Sequence, residues 1–328
     1  MRYLVTGGAG FIGSHLVERL LRDGHRVTVI DNFSTGRPEN LSGQKSHPNL
    51  TLIEEDISNL AGIMPHFKGI ERVFHVAALA DIVPSIVNPL AYYKSNVTGT
   101  LCVAEASRLS GVKKLVYAAS SSCYGITDVY PTPETAKILP QYPYALTKFL
   151  GEQIVLHWAK VYRLPVISLR LFNVYGPRSR TGGTYGAVFG VFLAQKLNHK
   201  PFTVVGDGKQ TRDFIFVTDV VNAFIRASES DCKDEIFNVG SGNTYSVNSL
   251  VEFLGGDVVY IPKRPGEPDC TFADIAKIKA MLRWEPEITL KQGVKILLDN
   301  IDFWRSAPVW TPEKIGEATK EWFQYLSG

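Results

Sequence analysis

Tyr144 and Lys148 stand four residues apart in Tyr144-Ala145-Leu146-Thr147-Lys148, at the start of a stretch with helical periodicity. That spacing puts both side chains on one helix face. An ammonium there lowers the pKa of the phenol toward neutrality and fits it to take a proton from a hydroxyl group as general base. The motif is short, and read alone it is equally the solvated face of an amphipathic helix. A second set of hydroxyls lies upstream, where Val116-Tyr117-Ala118-Ala119 reads as a strand ending in Ser120, Ser121 and Ser122. Serines at a strand's carboxyl end either form a turn or face a ligand crevice.

A third constellation could hold a nucleotide. Tyr3-Leu4-Val5 runs into Thr6-Gly7-Gly8-Ala9-Gly10-Phe11-Ile12-Gly13 and then a helix, setting Gly7, Gly10 and Gly13 at intervals of three. The first glycine allows a tight turn, the second a close approach of backbone to a pyrophosphate, and the third close packing of helix on sheet. The phosphate meets the N–H groups of the helix start, beside Phe11 and Ile12. The next strand, Val27–Ile30, ends in Asp31 followed by Asn32. A carboxylate there accepts from both ribose hydroxyls of an adenosine and repels a 2′-phosphate, which favours NAD over NADP. Asp56-Ile57 follows the third strand, where Asp56 either receives the adenine amino group or caps a helix.

These residues need a frame that brings strand ends together. The first two-thirds of the chain alternates β-branched runs with helix-period segments, the pattern of a parallel sheet covered by helices. Strands are predicted at Tyr3–Val5, Arg26–Ile30, Leu50–Ile53, Arg72–His75, Lys114–Ala118 and Val166–Leu171, and helices at Ile12–Leu21, Leu90–Leu109 and Tyr144–Tyr162. Right-handed crossovers then give an α/β, Rossmann-type doubly wound parallel sheet with its crevice at the strands' carboxyl ends. Beyond Gly176-Pro177-Arg178 the texture changes to a Gly-rich loop, short strands and Pro-rich connectors, as expected of a smaller, discontinuous α/β substrate lobe. Residues 1–173 with about 214–245 are assigned to the dinucleotide domain, and about 174–213 with 246–328 to the second lobe. A terminal helix is expected over Thr311–Leu326, with Pro312 in its first turn.

With 328 residues, 45% hydrophobic and 20% charged, the chain is long enough for a deep core and too apolar for disorder. The net charge of +3 is too small to suggest nucleic acid or a membrane surface as partner, so any anion site must be local. The four cysteines show neither a disulfide framework nor metal spacing, and no run is long enough to span a bilayer. Met1-Arg2 leads straight into a strand, leaving no room for a signal peptide, so a cytoplasmic protein is expected.

Taken together, glycine turn, Asp31, strand-end serines and Y-x-x-x-K have the order and spacing of one family. The chain resembles the extended short-chain dehydrogenase/reductase superfamily, within it the NAD-dependent nucleotide-sugar epimerase/dehydratase group. The resemblance covers nearly the whole chain. It implies catalytic roles for Ser120, Tyr144 and Lys148, and a cofactor role for the helix asparagine Asn96. It also implies that the loop His75-Val76-Ala77-Ala78 lies against the cofactor, with His75, Ala77 and Ala78 at the site. Without the family, His75 reads as a buried structural histidine.

In the second lobe the resemblance places Asn173, Arg212 and Arg264 on the substrate diphosphate and Glu267 on the nucleotide ribose. It also puts Arg178 in the segment Leu171–Arg178 near the substrate. Read alone, Arg212 and Arg264 are more often surface ion-pair residues, although guanidinium forks suit phosphate oxygens. Relatives that dehydrate a hexose carry Thr-Asp-Glu where this chain has Ser120, Ser121 and Ser122, and relatives that decarboxylate a glucuronyl group keep a Glu at Ser122. The resemblance therefore implies plain 4-epimerisation of a nucleotide-diphosphate sugar, UDP favoured, with a UDP-glucuronate 4-epimerase, another epimerase or a dehydratase as alternatives and a non-enzymatic scaffold disfavoured by the retained Ser120, Tyr144 and Lys148.

Thr271, seven positions after Arg264, matches the family position beside the sugar's C2 substituent, and a small side chain there admits an N-acetyl group. The loop Ser179–Phe189 departs from the epimerase subgroup, and either Arg178 or Arg180 would meet the carboxylate of a uronic acid. A homodimer is implied through Leu90–Leu109 and Tyr144–Tyr162, with Leu101, Ala104, Ala106, Phe149, Ile154 and Trp158 on the paired faces.

Overall fold

The computed structural model describes residues 1–179 and 187–327. Successive residues of a strand point to opposite faces, and the central strands of this chain are apolar on both. Tyr3 and Val5 join Phe74, Val116 and Ala118 in one buried cluster, whereas Leu4 joins Val73, Leu115 and Tyr117 in another. Such strands are stable only between two layers. The sheet contains β1 (Arg2–Thr6), β2 (Arg26–Asp31), β3 (Leu50–Glu54), β4 (Arg72–His75), β5 (Lys114–Ser120), β6 (Val166–Leu171) and the later strand Glu235–Val239. Its order is Glu235–Val239, β6, β5, β4, β1, β2, β3, parallel throughout. The order reverses between β1 and β4, which opens a crevice beyond their carboxyl ends.

The helix Phe11–Arg22 buries Leu16, Val17, Leu20 and Leu21 on one stripe against this sheet. Removing each of those side chains from water contributes about 1.5–3 kcal/mol. Gly10 at its N-cap supplies no side-chain cap and the first turn holds no acid, so the helix start is open to an anion.

The expected helix Leu90–Leu109 is not continuous. It runs as Pro89–Tyr92, a π-helical turn Tyr93–Thr98 and an α-helix Gly99–Leu109. Gly99 allows the close approach to the neighbouring layer, since a Cβ there would lie 2.6 Å from Cδ1 of Ile57. Ala104 and Ala106, expected on an outward pairing face, are fully buried against the sheet. Leu101 is exposed as expected, and with it Leu109, Leu146, Val161 and Tyr162, whereas Phe149, Ile154 and Trp158 are half-buried against the core.

A third buried cluster lies outside the sheet. It gathers Tyr175, Phe189, Phe192, Phe202, Leu250 and Trp304, and draws in Phe214, Phe216 and Val217. Three short strand pairs frame it: Asn173–Tyr175 with Phe214–Phe216, Phe202–Val205 with Val258–Ile261, and Thr211–Arg212 with Tyr245–Ser246. The C-terminal segment divides at Thr319 into helices Pro312–Ala318 and Lys320–Leu326. Among the described residues no helix is long and apolar enough to cross a membrane.

Candidate active site

The glycines create a space that side chains would close. Gly7, at φ +71°, would place a Cβ 2.7 Å from the Ala77 Cα, and a Cβ on Gly13 would lie 2.1 Å from the Gly7 carbonyl oxygen. The first cavity, about 430 Å³, is lined by Gly7, Gly10, Phe11, Ile12, Gly13, Asp31 and Asn32, with Ile57, Ala77 and Ala78 opposite. Its lining runs from Asp31 past the helix start to Tyr144 and Lys148, the groups a dinucleotide's ribose, pyrophosphate and reactive ring would each need.

Asp31 is held for that position. Its Oδ2 accepts from the Ala9 N–H at 2.9 Å and its Oδ1 from the Phe33 N–H at 2.9 Å. Burial raises its pKa, and those two N–H groups oppose the rise.

Three expected cofactor contacts, His75, Asn96 and Asp56, and one expected substrate contact, Arg178, are placed otherwise. His75 is fully buried and lines neither cavity. Its ring bonds to Thr6 Oγ1 at 2.7 Å and Thr100 Oγ1 at 2.9 Å. Thr100 donates its own proton to the Asn96 carbonyl at 2.6 Å, so it must accept from Nε2–H of a neutral imidazole. Burial, helped by Lys148, lowers the His75 pKa to about 3, consistent with that neutral form. Nδ1 then accepts from Thr6, whose oxygen receives the N–H groups of Val76 and Ala77 at 3.2 and 3.3 Å. His75 shapes the cofactor loop from behind.

Asn96 is likewise buried, accepting from the Leu79 N–H at 2.8 Å and donating to Leu79 O and Thr147 Oγ1. It ties that loop to the helix Pro143–Tyr162, while its neighbour Ser95 lines the cavity. Asp56 turns away to accept from the N–H and hydroxyl of Ser58, and Glu55 with Ile57 takes its place. Arg178, at φ +64°, pairs with Glu18 and lines the first cavity and not the second. Arg180 lies outside the described residues.

The second cavity is lined by Ser121, Ser122, Asn173, Arg212, Arg264, Glu267 and Thr271. Glu267 sets the two arginines side by side, with Oε1 3.1 Å from Arg212 Nη2 and Oε2 3.9 Å from Arg264 Nη1. Thr271 lines the wall, and its Oγ1 accepts from Asn173 Nδ2 at 2.8 Å and from the Asp213 N–H at 3.0 Å. Asp213 is fully buried and gathers the Ser241 N–H and hydroxyl and the Ala273 N–H.

Ser120 and Tyr144 line both cavities, at their junction. Ser120 Oγ lies 2.8 Å from Ser122 Oγ and accepts from the Ser122 N–H. The expected lowering of the Tyr144 pKa by Lys148 is not found: burial raises it, and a hydrogen bond with Ser120 pulls it partly back. Burial acts on the ammonium as well, bringing Lys148 down to about 7 against the attraction of Glu152. Lys148 sits 4.4 Å from the centre of the Tyr117 ring, a partial replacement for lost water.

Several lining residues were not marked by any motif. Ser34, Thr35, Gly36 and Arg37 with Asn40 and Glu55 line the cavity with Asp31, and Pro308 and Trp310 line it as well. Gly36 carried a usable signal, since a Cβ there would lie 2.7 Å from Asp31 Oδ1.

Residues 3–240 match the NAD dependent epimerase/dehydratase family. A UDP-glucose 4-epimerase from Mycolicibacterium smegmatis is 37% identical over 315 residues, 93% of this chain and 99% of that protein. The structure of a UDP-glucose 4-epimerase with UDP-glucose from Thermotoga maritima superposes with a TM-score of 0.87 at 36% identity, covering 93% of this chain and 99% of that one. A UDP-glucuronic acid 4-epimerase from Bacillus cereus, in complex with UDP-glucuronic acid and NAD, gives a TM-score of 0.85 at 31% identity over 92% of this chain and 99% of that one. With a family match over residues 3–240 and relatives this similar along nearly the whole chain, the chain belongs to the NAD dependent epimerase/dehydratase family.

Proposed function

We propose that the chain inverts C4 of a uridine-diphosphate hexose, with NAD in the first cavity and the sugar nucleotide in the second. The observation that carries this reading is the position of Ser120 and Tyr144 at the junction of the two cavities, with Ser121 and Ser122 where an eliminating enzyme needs acids. NAD, when bound, supplies reversible oxidation at the sugar carbon. Tyr144 takes the proton of the C4 hydroxyl and later returns it, and Ser120 holds the same oxygen by hydrogen bonding. Lys148 lies beside them on the cofactor side. Arg212 and Arg264 hold the diphosphate, so the hexose can turn over while its nucleotide stays anchored. In the same reading residues 1–173 with about 214–245 carry the cofactor, and about 174–213 with 246–328 the sugar nucleotide.

Turnover is measured with UDP-glucose, UDP-N-acetylglucosamine and UDP-glucuronate. Activity on the first two is expected, because Thr271 leaves room for an acetamido group, whose exclusion by overlap costs more than its absence. Thr271→Tyr should then abolish the acetylated substrate, while Thr271→Ser, which keeps the hydroxyl for Asn173 and Asp213, should accept both. Activity on UDP-glucuronate alone would overturn the assignment, and the pairing of Arg178 with Glu18 already draws one candidate carboxylate partner away.

We further propose a homodimer across the apolar residues Leu101, Leu109, Leu146, Val161 and Tyr162, which are exposed on adjacent helices. Sedimentation at micromolar concentration should give twice the chain mass, and a monomer would remove this proposal.

A further inference from the structure

We propose that Trp322, in the helix Lys320–Leu326, is a positioning residue that sets the diphosphate arginine Arg264 and the wall beside Tyr144 through the face of its indole ring. The inference rests on the sugar-nucleotide reading of the second cavity. Trp322 is 2% exposed and lines that cavity, far along the chain from the strands that build the rest of it.

Three contacts fix it there. Its Nε1–H donates to the Pro265 carbonyl at 2.7 Å, which ties the helix to the loop carrying Arg264. The Arg264 guanidinium carbon lies 5.5 Å from the ring centre, within cation–π range. The ring also meets Tyr142, tilted at 6.2 Å, and Tyr142 lies parallel to Tyr144 at 6.4 Å. One side chain therefore touches both the cation that would grip the diphosphate and the aromatic neighbour of the phenol.

The physical role follows from the guanidinium. A long arginine side chain has much rotational freedom, and ordering it on binding weakens affinity. The ring's negative face offers Arg264 a fixed seat, and Glu267 supplies a second fixed point at 3.9 Å. The cavity then meets a diphosphate with its charge already aimed.

The test measures UDP affinity by titration calorimetry on the full-length, NAD-loaded protein, for wild type, Trp322→Phe, Trp322→Leu and Trp322→Ala. Trp322→Phe keeps a π face, whereas Trp322→Leu fills space without one. The expected order is wild type and Trp322→Phe within about threefold of each other, and Trp322→Leu and Trp322→Ala weaker by about tenfold, between the sizes of an exposed and a desolvated cation–π contact. NAD content should be equal in all four. A purely structural Trp322 predicts that Leu behaves as Phe does, and that result overturns the proposal. So does unchanged affinity in Trp322→Ala, or a Trp322→Phe as weak as Trp322→Ala, which would put the effect in the indole N–H. A wild-type chain that holds NAD and does not bind UDP overturns the uridine reading beneath it as well.

Discussion

Tyr144→Phe is expected to lower turnover by about 100-fold or more while the protein keeps its fold and its NAD. The substitution removes one oxygen and leaves the ring, so the parallel contact with Tyr142 and the edge contact with Tyr92 survive. What disappears is the phenol oxygen that meets Ser120 where the two cavities join, the atom assigned to carry the proton of the sugar hydroxyl. Ser120→Ala should cost less, because it removes a hydrogen bond to the reacting oxygen and leaves the base. The measurement is kcat with UDP-glucose, normalised to NAD released on denaturation. Near-normal turnover in Tyr144→Phe would refute the assignment.

The largest expected loss of stability lies one layer deeper. Glu152→Ala should destabilise the fold by about 3–5 kcal/mol, measured by urea unfolding. Glu152 and Arg170 have side chains 1% and 4% exposed and meet at 2.7 Å. Glu152 Oε2 also accepts from Arg170 Nε at 3.0 Å and Ser168 Oγ at 2.8 Å. Arg170 in turn donates to Tyr124 OH and to the Glu134 carbonyl, and Tyr124 donates to Asn238. Removing the carboxylate leaves a buried guanidinium uncompensated inside this network, which is far worse than removing both charges. Replacing both by Met should recover much of the loss. A cost below about 1 kcal/mol for Glu152→Ala would show that water or rearrangement supplies a substitute. The network joins the turn Ser121–Tyr124 after β5, β6, Glu235–Val239 and the helix Pro143–Tyr162, so it also holds the platform beneath Ser120 and Tyr144.

The sheet was legible because each central strand is a short apolar run ending in a residue that wants a special backbone or a ligand. Gly7, Asp31 and Ser120 mark three strand ends, and all three line the first cavity. Local patterns could not say which of two adjacent residues faces the ligand. His75 and Asn96 have the right chemistry but turn inward to hold a loop, and their neighbours Val76 and Ser95 face the space instead, beside the expected Ala77 and Ala78. Ala104 and Ala106 were misplaced for a related reason, since alanine fits a tight interior as well as a pairing face and periodicity does not choose. The Tyr144 pKa was misjudged because spacing reports nearness of Lys148 and says nothing of burial, which dominates both groups. Pro308, Trp310 and Trp322 carried no local signal, because their role exists only once distant segments fold over the sheet.

The junction at Ser120 and Tyr144 makes the two occupants thermodynamically linked. If NAD changes the affinity for the sugar nucleotide by some factor, the sugar nucleotide must change the affinity for NAD by that same factor. Residues common to both walls, among them Ser120, Tyr144, Leu171, Phe172 and Val174, are the natural seat of that coupling free energy. Cofactor retention is then partly a property of the substrate: a tenfold coupling, about 1.4 kcal/mol, lengthens the hold on both ligands during the interval when losing either would strand a half-finished sugar.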